Sequence, residues 1–244
     1  MNLIVVGASA GLGRALAEAL AKEGNALLLV ASDEADLDAQ ISDLRIRFSA
    51  RCEKVAAAVI CDQLVVDQIV SAAKSLGQID GLLFPLGFSR DDDDGSLSPA
   101  DVDRIIQSNV SGIIALTQAF LPEMLVRGQG TLVYFGSVAA ERGRNANIVY
   151  AAAKRGLRSF AESIRHLCSS TAIKVQYYQL GYLDTAQTFG KKLLFPVGDR
   201  EKAARYITRN LNRDFGFMYY PWFWRFISLG LRYLPWFIFR RLRF

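Results

Sequence analysis

A glycine turn between two stretches of different hydrophobic period constrains this chain most. Residues 3–6 are Leu-Ile-Val-Val, a short β-type run. Gly7-Ala8-Ser9-Ala10-Gly11-Leu12-Gly13 follows, and apolar positions then recur at helical spacing over 14–22. Strand, glycine turn and helix in that order form the context of a dinucleotide-binding turn. Glycines let the backbone approach a pyrophosphate, and the helix N-terminus offers it free N–H groups. Gly7, Ser9, Gly11, Leu12 and Gly13 are thus candidate cofactor contacts; a purely structural turn is the alternative.

The alternation continues along the chain. Strand-like runs at 26–31, 55–60, 81–86, 131–135, 175–180 and 216–220 are separated by helical patterns at 34–48, 65–75, 99–126, 148–170 and 199–211. Such alternation builds βαβ units and a parallel sheet. Right-handed crossovers place the strand ends on one edge, where ligands bind. The expected class is α/β, a Rossmann-type doubly wound parallel sheet of about seven strands. Neither an internal repeat nor a linker is visible, so residues 1–220 read as one domain and 221–244 as a C-terminal extension.

Within this frame some residues carry chemistry. Tyr150 and Lys154 are four apart, which places them on one helix face. An ammonium beside a phenol favours the phenolate, so the pair is a candidate acid/base at neutral pH; a chance pair on an exposed face is the alternative. Ser137 follows the run 131–135, beside the expected crevice, and Asn109 lies inside a helical stretch that it mildly disfavours. After the second strand come Ala31, Ser32 and Asp33, with no arginine. An acid there suits a ribose 2′-hydroxyl and repels a 2′-phosphate, which favours NADH over NADPH. Asp91 to Asp94 form a run of four acids read as a solvated loop.

Charge and cysteine usage exclude several classes. The formal charge is +5, and the extension alone holds Arg225, Arg232, Arg240, Arg241 and Arg243 with no acid. The first 220 residues are therefore near neutral, which disfavours a nucleic-acid-binding body. His166 is the only histidine, and Cys52, Cys61 and Cys168 lack metal-like spacing, so no metal site is expected. Without a recognisable secretory signal, reduced thiols on the cytoplasmic side are expected.

Gly7, Gly11 and Gly13, then Asp62, Asn109, Ser137, Tyr150 and Lys154, resemble in order and spacing the motifs of the short-chain dehydrogenase/reductase superfamily, over the first 220 residues. The resemblance implies an NADH- or NADPH-dependent oxidoreductase acting on a ketone or alcohol. Tyr150 would be the proton donor, Ser137 would bond the carbonyl oxygen, and Lys154 would also hold the nicotinamide ribose. Asn109 would hold a water joining Lys154 to solvent. Asp62 would contact the adenine. Ser32 and Gly87 would line the cofactor, Gly181 and Thr185 would border the nicotinamide, and the segment after them would cover the substrate. Three departures mark a divergent branch: Val6 replaces the usual Thr, Pro85-Leu86-Gly87 the usual Asn-Ala-Gly, and Leu180-Gly181 the usual Pro-Gly.

Residues 136–157, the turn Phe84-Pro85-Leu86-Gly87 and the aromatic tail look like the branch that reduces decaprenylphosphoryl-2-keto-pentose. That likeness implies a polyprenyl-phosphate-linked ketone made for cell-envelope glycan, and a flavin-dependent oxidase as partner. In the tail, Trp222, Phe226, Leu229, Tyr233 and Phe237 recur at helical spacing, while Pro221 and Pro235 interrupt any spanning helix. An amphipathic helix lying in a membrane interface is expected, giving peripheral membrane association; packing on the body or an oligomer contact is the alternative. Family likeness also implies a homo-oligomer through 99–126 and 148–170. The competing functions are reduction of a 3-ketoacyl thioester or free keto sugar, and a non-catalytic dinucleotide-binding scaffold.

Overall fold

The computed structural model describes residues 1–185, 188–190 and 195–241. Each apolar run pairs in parallel with a neighbour, because the helix after it returns the chain to the same end of the sheet. The strands are β1 (Asn2–Val6), β2 (Ala26–Ala31), β3 (Cys52–Ala56), β4 (Gly81–Phe84), β5 (Gln129–Ser137), β6 (Ala172–Leu180) and β7 (Phe217–Tyr220). They form one seven-stranded sheet in the order β3-β2-β1-β4-β5-β6-β7. The helices are α1 (Gly11–Lys22), α2 (Glu34–Phe48), α3 (Gln63–Ala73), α4 (Pro99–Ile106), α5 (Gly112–Arg127), α6 (Ile148–Leu167), α7 (Arg200–Arg209), α8 (Trp224–Tyr233) and α9 (Trp236–Phe239).

Both sheet faces are covered, so the central strands are mostly apolar on both faces. In β1, Ile4 and Val6 face a layer with Ile69 of α3, Leu116 and Phe120 of α5 and Leu157 of α6. Leu3 and Val5 face the opposite layer, with Leu16 and Leu20 of α1, Leu37 of α2 and Ile207 of α7. The strand order reverses between β1 and β4, so their outgoing loops part and leave a crevice at the carboxyl edge.

The structure corrects two expected elements. The third strand lies at Cys52–Ala56 rather than 55–60, because its register with β2 runs from Leu27↔Cys52 to Ala31↔Ala56. Beyond it only the Ala57 N–H still reaches β2, donating to the Ala31 carbonyl at 2.9 Å. The helix expected over 99–126 is broken by a π turn at Gln107–Ser111. This turn carries Asn109 inward to complete burial, and π turns often mark functional sites. The stretch Pro99–Arg127 is long and apolar enough to span a membrane, but one side of it packs into the core.

The extension is two helices, not one. Leu234 is extended (ψ 126°) and Pro235 restarts the chain into α9, as expected where proline removes an N–H and disfavours helix before it. Trp224 anchors α8. It is 2% exposed and lies edge-on to Tyr182 and Phe195 at centroid distances of 5.2 and 5.0 Å. A Cβ on Gly181 would lie 1.9 Å from the Trp224 indole nitrogen, so only glycine admits the ring there. Trp224→Ala is expected to lower unfolding free energy by about 3–5 kcal/mol, read by denaturant unfolding with far-UV circular dichroism. Trp224→Phe is expected to cost less. An alanine variant as stable as the parent would mean that the extension is not docked.

Candidate active site

The glycine turn closes the carboxyl edge above β1. Gly7 has φ +91°, and a Cβ on Gly13 would fall 1.9 Å from the Gly7 carbonyl oxygen, so the turn is as tight as the backbone permits. Helix α1 begins after Ala10, which offers no side-chain cap, and its first turn has no acid. By contrast Asp33, Asp62, Ser98 and Asp199 cap α2, α3, α4 and α7. The first N–H groups of α1 are thus left for a ligand, and the close-packed glycine turn above them fits a pyrophosphate. Leu12 is buried beneath this turn. The Ser9 carbonyl accepts from Arg14 Nε at 2.8 Å. Thr185 stands against Gly11, its Cγ2 at 3.3 Å from where a Cβ would be.

At the adenosine end, Ser32 is exposed after β2. Asp33 and Asp62 also serve as helix caps, accepting from the Asp36 N–H at 2.9 Å and the Leu64 N–H at 2.7 Å. Arg14, the nearby cation, pairs with Asp36 at 3.1 Å.

The chemistry-bearing side chains meet where β4, β5 and α6 converge. Lys154 is 3% exposed. Its Nζ donates to the Leu86 carbonyl at 3.0 Å and the Phe135 carbonyl at 3.1 Å. Burial lowers its pKa to about 7. A neutral amine has two N–H groups, enough for these two acceptors, and a lone pair left to take a proton. Tyr150, half-buried one turn earlier, has its ring centroid 5.9 Å from that nitrogen. Burial raises the phenol pKa, and a hydrogen bond with Ser137 pulls it partly back. Both groups are desolvated, and each is held toward its neutral form, which opposes the lowering that a charged Lys154 would give the phenol. Ser137 ends β5, and its hydroxyl also accepts from the Ala139 N–H at 3.2 Å.

Asn109 braces this cluster. Its Nδ2 donates to the Phe88 carbonyl at 2.7 Å and the Ile105 carbonyl at 2.9 Å, and its Oδ1 accepts from the Phe88 N–H at 3.4 Å. The amide is thus a strut that fixes the loop after β4, beside the water-holding role that the family resemblance implies. A Cβ on Gly87 would lie 3.6 Å from both Asn109 Oδ1 and Lys154 Nζ, so this glycine marks where strut and amine face each other.

Asp93 is a functional residue that the sequence reading missed. Its run was read as a solvated loop, yet Asp93 is 1% exposed. Its carboxylate accepts from the Val149 N–H at 3.0 Å and the Tyr150 N–H at 2.9 Å, and its carbonyl from the Ile148 N–H at 3.2 Å. The residue before α6, Asn147, is left-handed (φ 55°) and gives no side-chain cap, so Asp93 caps the helix from a distance. Nothing local marked this exchange, because Asn147 is itself a favoured cap residue in sequence. Glu141 was also missed. It is buried just past Ser137, accepts from the Tyr219 hydroxyl at 2.9 Å, and faces Arg232 at 3.4 Å and Arg158 at 3.6 Å. Arg142 next to it donates to the Leu231 carbonyl at 2.8 Å and to the Leu234 carbonyl, and covers the Phe239 ring at 4.0 Å. The extension is thereby held to both loops of the site, at Gly181 and at Glu141. Of the segment expected to cover the substrate, 186–187 and 191–194 lie outside the described residues, as does Arg243.

Residues 1–192 match the profile of the short chain dehydrogenase family. The chain is 29% identical over 186 residues to a 3-oxoacyl acyl-carrier-protein reductase of Escherichia coli, covering 76% of this chain and 74% of that one. It superimposes on the L-sorbose reductase of Gluconobacter frateurii, solved with NADPH and L-sorbose, with a TM-score of 0.80 at 21% identity, covering 89% of this chain and 93% of the other. A bulky-bulky ketone specific alcohol dehydrogenase of Comamonas testosteroni gives 0.82 at 19% identity over 99% of this chain and 94% of that one. At these identities the two structural likenesses speak to fold.

Because Asp93 fixes the start of the helix that carries Tyr150, Asp93→Ala is expected to lower unfolding free energy by about 1–2 kcal/mol and to reduce kcat. Asp93→Asn, which can still cap, should retain most of both. Melting curves and steady-state rates read the two effects; an alanine variant unchanged in both would remove Asp93 from this role.

Proposed function

The chain belongs to the short-chain dehydrogenase family and is an NAD(P)-dependent oxidoreductase, and we propose that it reduces the ketone of a polyprenylphosphoryl-2-keto-pentose. The observation that carries the reductase reading is the buried Lys154, bonded to Leu86 and Phe135 beside the Tyr150–Ser137 pair. Two features support the narrower substrate. One is the sequence likeness of 136–157 and the tail to the keto-pentose reductases. The other is an extension with exposed aromatic side chains that is anchored on the site loop at Gly181. NADH is the favoured cofactor, since Asp33 follows β2 and Arg14 is already paired with Asp36.

When bound, the nicotinamide supplies the hydride. The glycine turn and the start of α1 hold the cofactor's phosphates, and Thr185 closes over Gly11. Ser137 bonds the carbonyl oxygen and stabilises the charge that grows there. Tyr150 is kept protonated by its burial, so at neutral pH it is a ready proton donor to the nascent alkoxide. Lys154 titrates near neutrality, so it can take up a proton from solvent as Tyr150 gives its own to the alkoxide, which keeps the buried pair from carrying a lone charge. Asn109 and Asp93 position the loop and helix that make this arrangement.

The test is oxidation of NADH and NADPH, in detergent, with a polyprenylphosphoryl-2-keto-pentose beside a 3-oxoacyl thioester and a free keto sugar. Turnover confined to the lipid-linked ketone is expected. Turnover only with a soluble ketone would overturn the substrate and leave the reductase. Tyr150→Phe should lower kcat by about 10²–10⁴-fold with cofactor binding intact; a variant keeping its rate would remove Tyr150 as the donor.

A further inference from the structure

The chain has three tryptophans, and all lie in the extension: Trp222, Trp224 and Trp236. Only Trp224 is used by the body, while Trp222 is 69% and Trp236 65% exposed. Phe226, Leu229 and Tyr233 of α8 and Phe237 of α9 are exposed beside them. The side of α8 turned to the body carries Trp224, the buried Ser228 and Arg232, whose guanidinium reaches Glu141. Apart from Trp224, the helix is inside out for a water-soluble surface: serine and an ion pair face inward, and Phe226, Leu229 and Tyr233 face outward. A contiguous apolar face of this kind needs an occupant.

Charge selects among occupants. Arg225, Arg240 and Arg241 are exposed, and residues 221–244 hold no acid. Among the described residues, Arg232 alone of the extension's arginines has an ion-pair partner. A second copy docked by the same face would set arginines against arginines, since a two-fold contact is self-complementary. An anionic headgroup layer offers the opposite sign, and tryptophan and tyrosine rings suit its depth. We propose that the outer face of α8 and α9 docks on an anionic lipid surface, with Trp222 and Trp236 at headgroup depth. The geometry of the extension carries this, not the substrate reading, and a soluble ketone substrate would leave it standing. Because α8 starts against Gly181, docking would hold the site's own loop close to the lipid surface.

The tryptophan distribution supplies a direct test, since intrinsic indole emission reports the extension alone. Full-length protein is titrated with phosphatidylcholine vesicles with and without phosphatidylglycerol, using brominated acyl chains as quenchers. Saturable quenching with anionic vesicles, weakened by salt, is expected. In Trp222→Phe/Trp236→Phe the remaining Trp224 emission should not be quenched. Arg240→Gln/Arg241→Gln should weaken partitioning roughly thirtyfold. No quenching of the parent protein by anionic vesicles would overturn the proposal. So would a concentration-dependent emission shift without lipid, matched by dimer in sedimentation, which would assign the face to a second copy.

Discussion

The site depends on burying one amine. Lys154 lies under the crevice with its nitrogen on two carbonyls, Leu86 after β4 and Phe135 within β5. A full positive charge in that place is poorly solvated, which pulls the pKa to about 7. The two carbonyls come from neighbouring strands on one side of the crevice, so the bonds that satisfy the amine also tie the loop after β4 to β5. Tyr150 and Ser137 inherit their positions from this arrangement: one shares the lysine's helix, the other ends the strand that Lys154 grips.

Helix ends divide the structure between scaffold and binding. Four helices that only cover the sheet have their first N–H groups satisfied by Asp33, Asp62, Ser98 and Asp199. Helix α6 takes its cap from the distant Asp93. Helix α1, at the mouth of the crevice, has none. Unpaired donors at a helix start are tolerable when a ligand can take them, and the glycines above α1 let a ligand approach the backbone closely. The extension follows a similar economy. Trp224 fills the space left by the missing Cβ of Gly181, and Glu141 answers Arg232, so α8 joins the two loops of the site.

Much of this was legible in the sequence, because periodicity and turn chemistry are local. The glycine turn, the strand–helix alternation and the order Asn109, Ser137, Tyr150, Lys154 led to the parallel sheet and to the residues that meet in it. Non-local features escaped. The place of β3 depends on its register with β2, which ends at Ala31. The π turn at Asn109 depends on a loop 21 residues earlier, to which the amide is bonded. Asp93 looked like one of four equivalent acids, and only the fold shows that it caps a helix 56 residues on. The desolvation of Tyr150 and Lys154 escaped too, because spacing reveals proximity but not burial. The tail's amphipathic pattern was visible, but which face meets the body was not.

The claim that Lys154 is buried toward its neutral form has a direct thermodynamic consequence. Its folded pKa of about 7 lies below the ordinary 10.5, so between those values the unfolded chain binds the extra proton. Stability from this group should therefore rise with pH across that window, by about 1.4 kcal/mol per pH unit, and be lost as pH falls toward 7. The decisive measurement is unfolding free energy against pH for the protein and for Lys154→Met, which cannot titrate. The difference between them is expected to move in favour of the parent at that slope from pH 7 upward. A difference that stays flat over the window would contradict a desolvated Lys154, and with it the account of how the site is poised.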